Sequence, residues 1–179
     1  APGPPASGDA HAGRMMALHI ALVEPQIPPN TGNIARVCAV TGTSLHLIEP
    51  LGFSLAEPDV KRAGMDYWDA VDLWVHRDWS AFQGAVAPER CLYFSTHGER
   101  SFWEAPYHEG AVLVFGNEGH GLPQQLREEH ADRLYRIPML DGARSLNLAT
   151  AAGIVLYEAI RQRAQATGRP ERPSTARPG

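Results

Sequence analysis

An apolar run from Ala111 to Phe115 gives way to three glycines within six residues, Gly116, Gly119 and Gly121, and then to Pro123. Consecutive apolar residues without alternation read as a strand covered on both faces. Proline is a favoured first residue of a helix. A strand end therefore opens into a backbone-rich loop that leads to a helix. In an open α/β sheet, ligands sit outside the carboxyl ends of the strands. Glycines at such a place let the main chain come close to a ligand. Taken alone, the loop is equally consistent with a plain strand-turn-helix connection.

The same alternation runs along the chain. Ala17–Val23 reads as a first strand. Glu24–Pro29 carries three prolines and is read as non-helical, because proline removes donors and pushes its predecessor into extended geometry. Asn30 or Thr31 is then expected to cap a helix with Ile34, Val37, Cys38 and Thr41 on its inner face and Gly42 at its end. Further strands are predicted at Ser44–Glu49, Val71–His76, Arg90–Thr96 and Leu134–Met139. Lys61, Arg62 and Asp66–Trp68 fall on a short helix and its exit. Asp78 caps a helix to about Val86, and Pro123 opens one to about Glu129. After a polar loop, Asp141–Asn147, a long helix runs from about Leu148 to Ala166, with Leu148, Ala152, Val155, Leu156 and Ile160 inward. Strands alternating with helices predict one α/β domain with a parallel sheet. Pro, Gly, Ala and Arg composition marks residues 1–14 as a disordered leader and 167–179 as a disordered tail, leaving 15–166 as the domain, with Met15 or Met16 as a natural start.

Length and composition fit this reading. The chain of 179 residues suggests one domain, and an apolar fraction of 44% is enough for a real core. No apolar run approaches the roughly 18 residues that would span a bilayer, and no signal peptide is evident. The two cysteines, Cys38 and Cys91, lie in apolar surroundings without metal-ligand spacing and read as buried thiols. A cytoplasmic location is the default. The net charge of −4 argues mildly against a large phosphate-binding face. Arginines nevertheless crowd the end of the chain, at 161, 163, 169, 172 and 177.

Three polar loops stand at predicted strand ends: Asn30–Arg36, Gly116–Gly121 and Arg144–Asn147. Asn33 and Arg36 are three apart and share a helix face. A cation near a helix start opposes the helix dipole. Arg36 therefore points either to an anionic partner or to a neighbouring carbonyl or carboxylate. No phosphate-binding G-x-x-x-x-G-K-[ST], no G-x-G-x-x-G, no H-E-x-x-H and no G-x-S-x-G is present. No metal is expected. Lys61, Arg62, Arg136, Arg144 and the arginine-rich tail are candidate phosphate contacts.

At these loops the chain resembles a known family. Glu24-Pro25-x-Ile27-Pro28-Pro29 followed by Asn30-Thr31-Gly32-Asn33-Ile34-Ala35-Arg36 is similar to motif 1 of the SPOUT RNA methyltransferases. Val114-Phe115-Gly116-Asn117-Glu118-Gly119-His120-Gly121-Leu122-Pro123 is similar to motif 2. Ile137-Pro138-Met139 with Arg144-Ser145-Leu146-Asn147-Leu148 is similar to motif 3. Order and spacing match over residues 17–165, and the string IPPNTGNIARVCAVTG looks most like the TrmL-type tRNA wobble-position 2′-O-methyltransferases. The resemblance implies a C-terminal trefoil knot, a homodimer with its site completed across the interface, and a tRNA substrate. It implies S-adenosylmethionine as cofactor, held largely by main-chain atoms of Phe94, Ser95, Thr96, Gly116, Glu118, Gly121, Ile137, Met139, Ser145 and Leu146. It implies that Arg36 binds a phosphate and favours the 2′-alkoxide, while Asn33, Glu118, Ser145 and Asn147 orient ribose and cofactor. Two alternatives stay open: methylation of another tRNA or rRNA position, and a non-catalytic RNA-binding α/β module.

Overall fold

The computed structural model describes residues 18–56 and 58–167. The expected leader, the start of the first strand at Ala17, and the tail beyond Thr167 lie outside the described residues. Seven parallel strands form one sheet: β1 (His19–Val23), β2 (Ser44–Ile48), β3 (Leu73–His76), β4 (Cys91–Phe94), β5 (Arg100–Ser101), β6 (Val112–Phe115) and β7 (Leu134–Arg136). Their order across the sheet is β3-β2-β1-β6-β4-β7-β5. The helices are α1 (Pro28–Thr41), α2 (Pro58–Gly64), α3 (Trp79–Ala85), α4 (Gln124–Glu129) and α5 (Leu148–Thr167).

Period-two alternation sends each strand's residues to both faces. Ile20, Leu22, Leu45, Leu47, Leu113 and Phe115 pack on one face under Ile34, Ala35 and Cys38 of α1 and Ala152, Val155, Leu156 and Ala159 of α5. Ala21, Val23, Ile48, Tyr93 and Val114 pack on the other under Phe82 and Val86. This two-sided burial is why the central strands carry continuous apolar runs. Asp78 caps α3 as expected, its carboxylate accepting the Ala81 amide at 2.7 Å. Burial pushes the Cys91 thiol up to about 11 and the Cys38 thiol further still.

Two local readings are corrected. Pro28 and Pro29 are not outside the first helix but are its first two residues. First-turn amides have no partner inside a helix, so proline loses nothing there. Asn30 and Thr31 are consequently inside α1 and buried, and the N-cap position falls to Ile27. The strand β5, two residues long, was not predicted.

Arginines fasten several connections. Arg90 donates to the Gly110 carbonyl at 2.7 Å and Arg127 to that of Leu122 at 3.2 Å. Arg133 donates to the carbonyls of Pro88 and Glu89, and Arg100 to that of Asp132.

On the α3 face, three buried imidazoles cross the sheet in line. His19 Nδ1 lies 2.9 Å from His46 Nε2, and His46 Nδ1 lies 2.9 Å from His76 Nε2. Trp74 stacks on His46 and Phe82 meets it edge-on. Burial, reinforced by the neighbouring histidines and Arg90, holds the His46 pKa down to about 3 from the ordinary 6.5, and burial lowers that of His76. Below pH 6.5 the unfolded chain therefore binds protons that the folded chain refuses, so stability is full above that pH and falls as the solution is acidified toward about pH 3. The His46 contribution approaches about 1.4 kcal/mol per pH unit. Urea midpoints should drop between pH 7 and pH 5, above the range in which most carboxylates titrate. His46→Gln should flatten that dependence. An unchanged slope in the variant contradicts the assignment.

Candidate functional site

The loops that follow β1, β6, β4 and β7 emerge side by side, because these four strands are neighbours in the sheet. Between them lies a cavity of about 630 Å³, a size suited to a small-molecule ligand. Glu24, at the exit of β1, takes a left-handed φ of 52° that turns the chain toward the prolines. Gly116, at the exit of β6, is packed so tightly that a Cβ there would sit 1.9 Å from the Gly121 carbonyl carbon. No other residue type fits. Asn117 shapes the same loop by accepting the amides of Gly119 and His120 at 3.2 and 2.7 Å.

One polar relay binds the loops to one another. Helix α1 has no capping side chain of its own and no acid in its first turn. Glu118 supplies both from the β6 loop. Its carboxylate accepts the Gln26 amide at 3.0 Å, the Ile27 amide, and Asn30 Nδ2 at 3.4 Å. Asn30 Oδ1 in turn accepts Asn147 Nδ2 at 3.0 Å. Asn147 Oδ1 accepts the Thr150 amide at 3.2 Å and so caps α5. An anionic carboxylate facing a helix start also satisfies the helix dipole.

The cavity wall contains Phe94, Ser95, Thr96, Gly116, Glu118, Gly121, Ile137, Met139, Ser145 and Leu146, together with Asn147. The structure thus brings together the residues expected to hold the cofactor and three of the five expected to act in catalysis. The other two, Asn33 and Arg36, do not line it; both are exposed on α1. Asn30 does line it. Sequence reasoning missed Asn30 by reading it as a cap. The available signal was its place after two prolines, which start the helix ahead of it.

The family model for SpoU rRNA methylases matches residues 17–157. The chain belongs to this family. A tRNA (cytidine(34)-2′-O)-methyltransferase of Saccharophagus degradans is 50% identical over 146 residues, covering 81% of this chain and 95% of that protein. Among solved structures, one that addresses the 2-OH methylation of C/U34 on tRNA is 46% identical, with a TM-score of 0.78 over 83% of this chain and 92% of that one. A second SpoU methyltransferase, AviRb of Streptomyces viridochromogenes in complex with AdoMet, is 25% identical, with a TM-score of 0.78 over 90% of this chain and 66% of that one.

Glu118→Ala strips the amides of Gln26 and Ile27 of their acceptor and should cost about 1–3 kcal/mol. Urea unfolding reads this directly. A loss below about 0.5 kcal/mol, typical of an ordinary surface change, contradicts the relay.

Proposed function

We propose that this protein transfers a methyl group from S-adenosylmethionine to the ribose 2′-hydroxyl of the wobble pyrimidine, position 34, of tRNA. The observation that carries this reading is the cavity at the motif loops, in a chain 50% identical to a tRNA (cytidine(34)-2′-O)-methyltransferase. The cavity suits the cofactor. Phe94, Phe115, Ile137 and Leu146 offer apolar walls for an adenine, and the glycines expose main-chain donors and acceptors. Bound there, S-adenosylmethionine supplies an electrophilic methyl group that the 2′-oxygen displaces in line, with the C–S electron pair returning to sulfur.

The protein's own contribution is mainly alignment, which accounts for a large share of the rate in such transfers. Ser145 and Asn147 stand at the cavity wall, where they orient ribose and cofactor. Glu118 acts by holding the start of α1 against the glycine loop.

Arg36 binds the phosphate beside the target ribose and favours loss of the 2′-hydroxyl proton. Its exposed position outside its own cavity supports a homodimer in which each site receives the partner's Arg36. Exposed apolar side chains support the same reading: Ile27 at the start of α1, and Ile154 and Tyr157, three apart on one face of α5. A trefoil knot through the β6 and β7 loops is favoured by two features. The strand β7 inserts between β4 and β5, and the Gly116 main chain abuts Gly121 and Leu122. A tRNA substrate implies work in the cytoplasm.

The test is incubation with labelled S-adenosylmethionine and unmodified tRNA, followed by nuclease mapping of the product. Label in a 2′-O-methylated pyrimidine at position 34 is the expected result. Label elsewhere overturns the position, and no transfer to any tRNA overturns the reading. Arg36→Ala should leave cofactor affinity nearly intact while lowering turnover by about 10²–10³. Equal loss of both contradicts its role.

A further inference from the structure

Resting on that reading, we propose that Arg136 and Arg144 are the phosphodiester clamp that seats the RNA strand at the mouth of the cavity. Four arginines are already engaged with main-chain carbonyls in the fold. Arg62, Arg77 and Arg161 sit against the carboxylates of Asp59, Asp78 and Glu158. Arg36 and Arg163 make further interactions of their own. Among the described arginines, only Arg136 and Arg144 have no hydrogen-bond, ion-pair or ring partner, and both are exposed.

Their positions are not scattered. Arg136 is the last residue of β7, and the next residues, Ile137 and Met139, line the cavity. Arg144 lines it too, beside Ser145. The two residues thus bracket the connection 137–143, whose Ile137 and Met139 line the cavity. The wall's one carboxylate, Glu118, is turned to the amides of Gln26 and Ile27. Asp141, in the same connection, forms no salt bridge and, like Arg136, lies just outside the lining. With two arginines and one aspartate, the segment 136–144 carries a net positive charge in a chain of net charge −4. A ribose presented to this cavity carries a phosphodiester on each side, outside the reacting pocket and at the rim. Guanidinium groups suit that partner because their planar forks match phosphate oxygens.

The experiment titrates labelled unmodified tRNA with the full chain over a series of salt concentrations, alongside calorimetric titration of S-adenosylmethionine. Arg136→Ala and Arg144→Ala should each weaken tRNA binding about tenfold. Each should also flatten the salt dependence by about 0.7 in log–log slope, the value for a single-strand phosphate contact. Cofactor affinity should hold, Arg144→Lys should restore most of the slope, and Arg77→Ala, at an exposed arginine away from the cavity, should change nothing. An unchanged slope in both alanine variants overturns the clamp. Loss of cofactor affinity in Arg144→Ala assigns that residue to the cofactor's carboxylate instead and overturns it too. Wild-type chain that methylates no tRNA removes the underlying reading, and the proposal with it.

Discussion

The Glu118 carboxylate accepting the amides at the start of α1 is the contact on which the site depends. Helix α1 begins with two prolines, an uncapped Ile27 and no acid in its first turn. The amides of Gln26 and Ile27, just ahead of the prolines, need an acceptor from elsewhere, because an unpaired donor at a packed helix end is costly. The acceptor arrives from the β6 loop, some ninety residues away in the chain. Asn30 extends the contact to Asn147, which caps α5. Two helix starts and one glycine loop are fixed as a unit by three side chains. That unit forms a wall of the cavity, so the shape of the cavity and the capping of the helices are the same problem here.

The sheet makes this arrangement reachable. Placing β6 between β1 and β4, with β7 on the far side of β4, brings four strand exits together. The two apolar layers keep those strands in register. Gly116 adds a steric requirement, since no side chain fits between its backbone and Gly121. Charge is distributed by the same economy. Among the described arginines, four donate to main-chain carbonyls of the fold, while the side chains of Arg136 and Arg144, at the ends of the connection beside the cavity, are left unpaired.

Much of this was legible in the sequence. Central parallel strands bury both faces, so they stand out as apolar runs, and β1, β2, β4 and β6 fell where expected. The motif loops were legible as clusters of glycine and amide residues at strand ends. What was not legible depended on long-range contacts. Pro28 and Pro29 suggested a break, yet they are the first two residues of α1, where a missing amide costs nothing. Asn30 looked like a local cap because its true partners are on two distant loops. Asn33 and Arg36 carried the right chemistry for the site but stand on an exposed face of α1. Strand order, with β7 inserted beside β4, is a tertiary fact that no local pattern encodes. The two-residue β5 is too short to leave a periodic signal.

The most direct test of the shared relay is a double-mutant cycle read by calorimetric titration of S-adenosylmethionine into wild type, Asn30→Ala, Glu118→Gln and the double variant. If the side chains form one unit that shapes the cofactor cavity, each single variant should weaken binding. The two losses should then be non-additive, with a coupling of about 0.5–3 kcal/mol. Strictly additive losses, or cofactor affinity indifferent to both residues, would contradict the account.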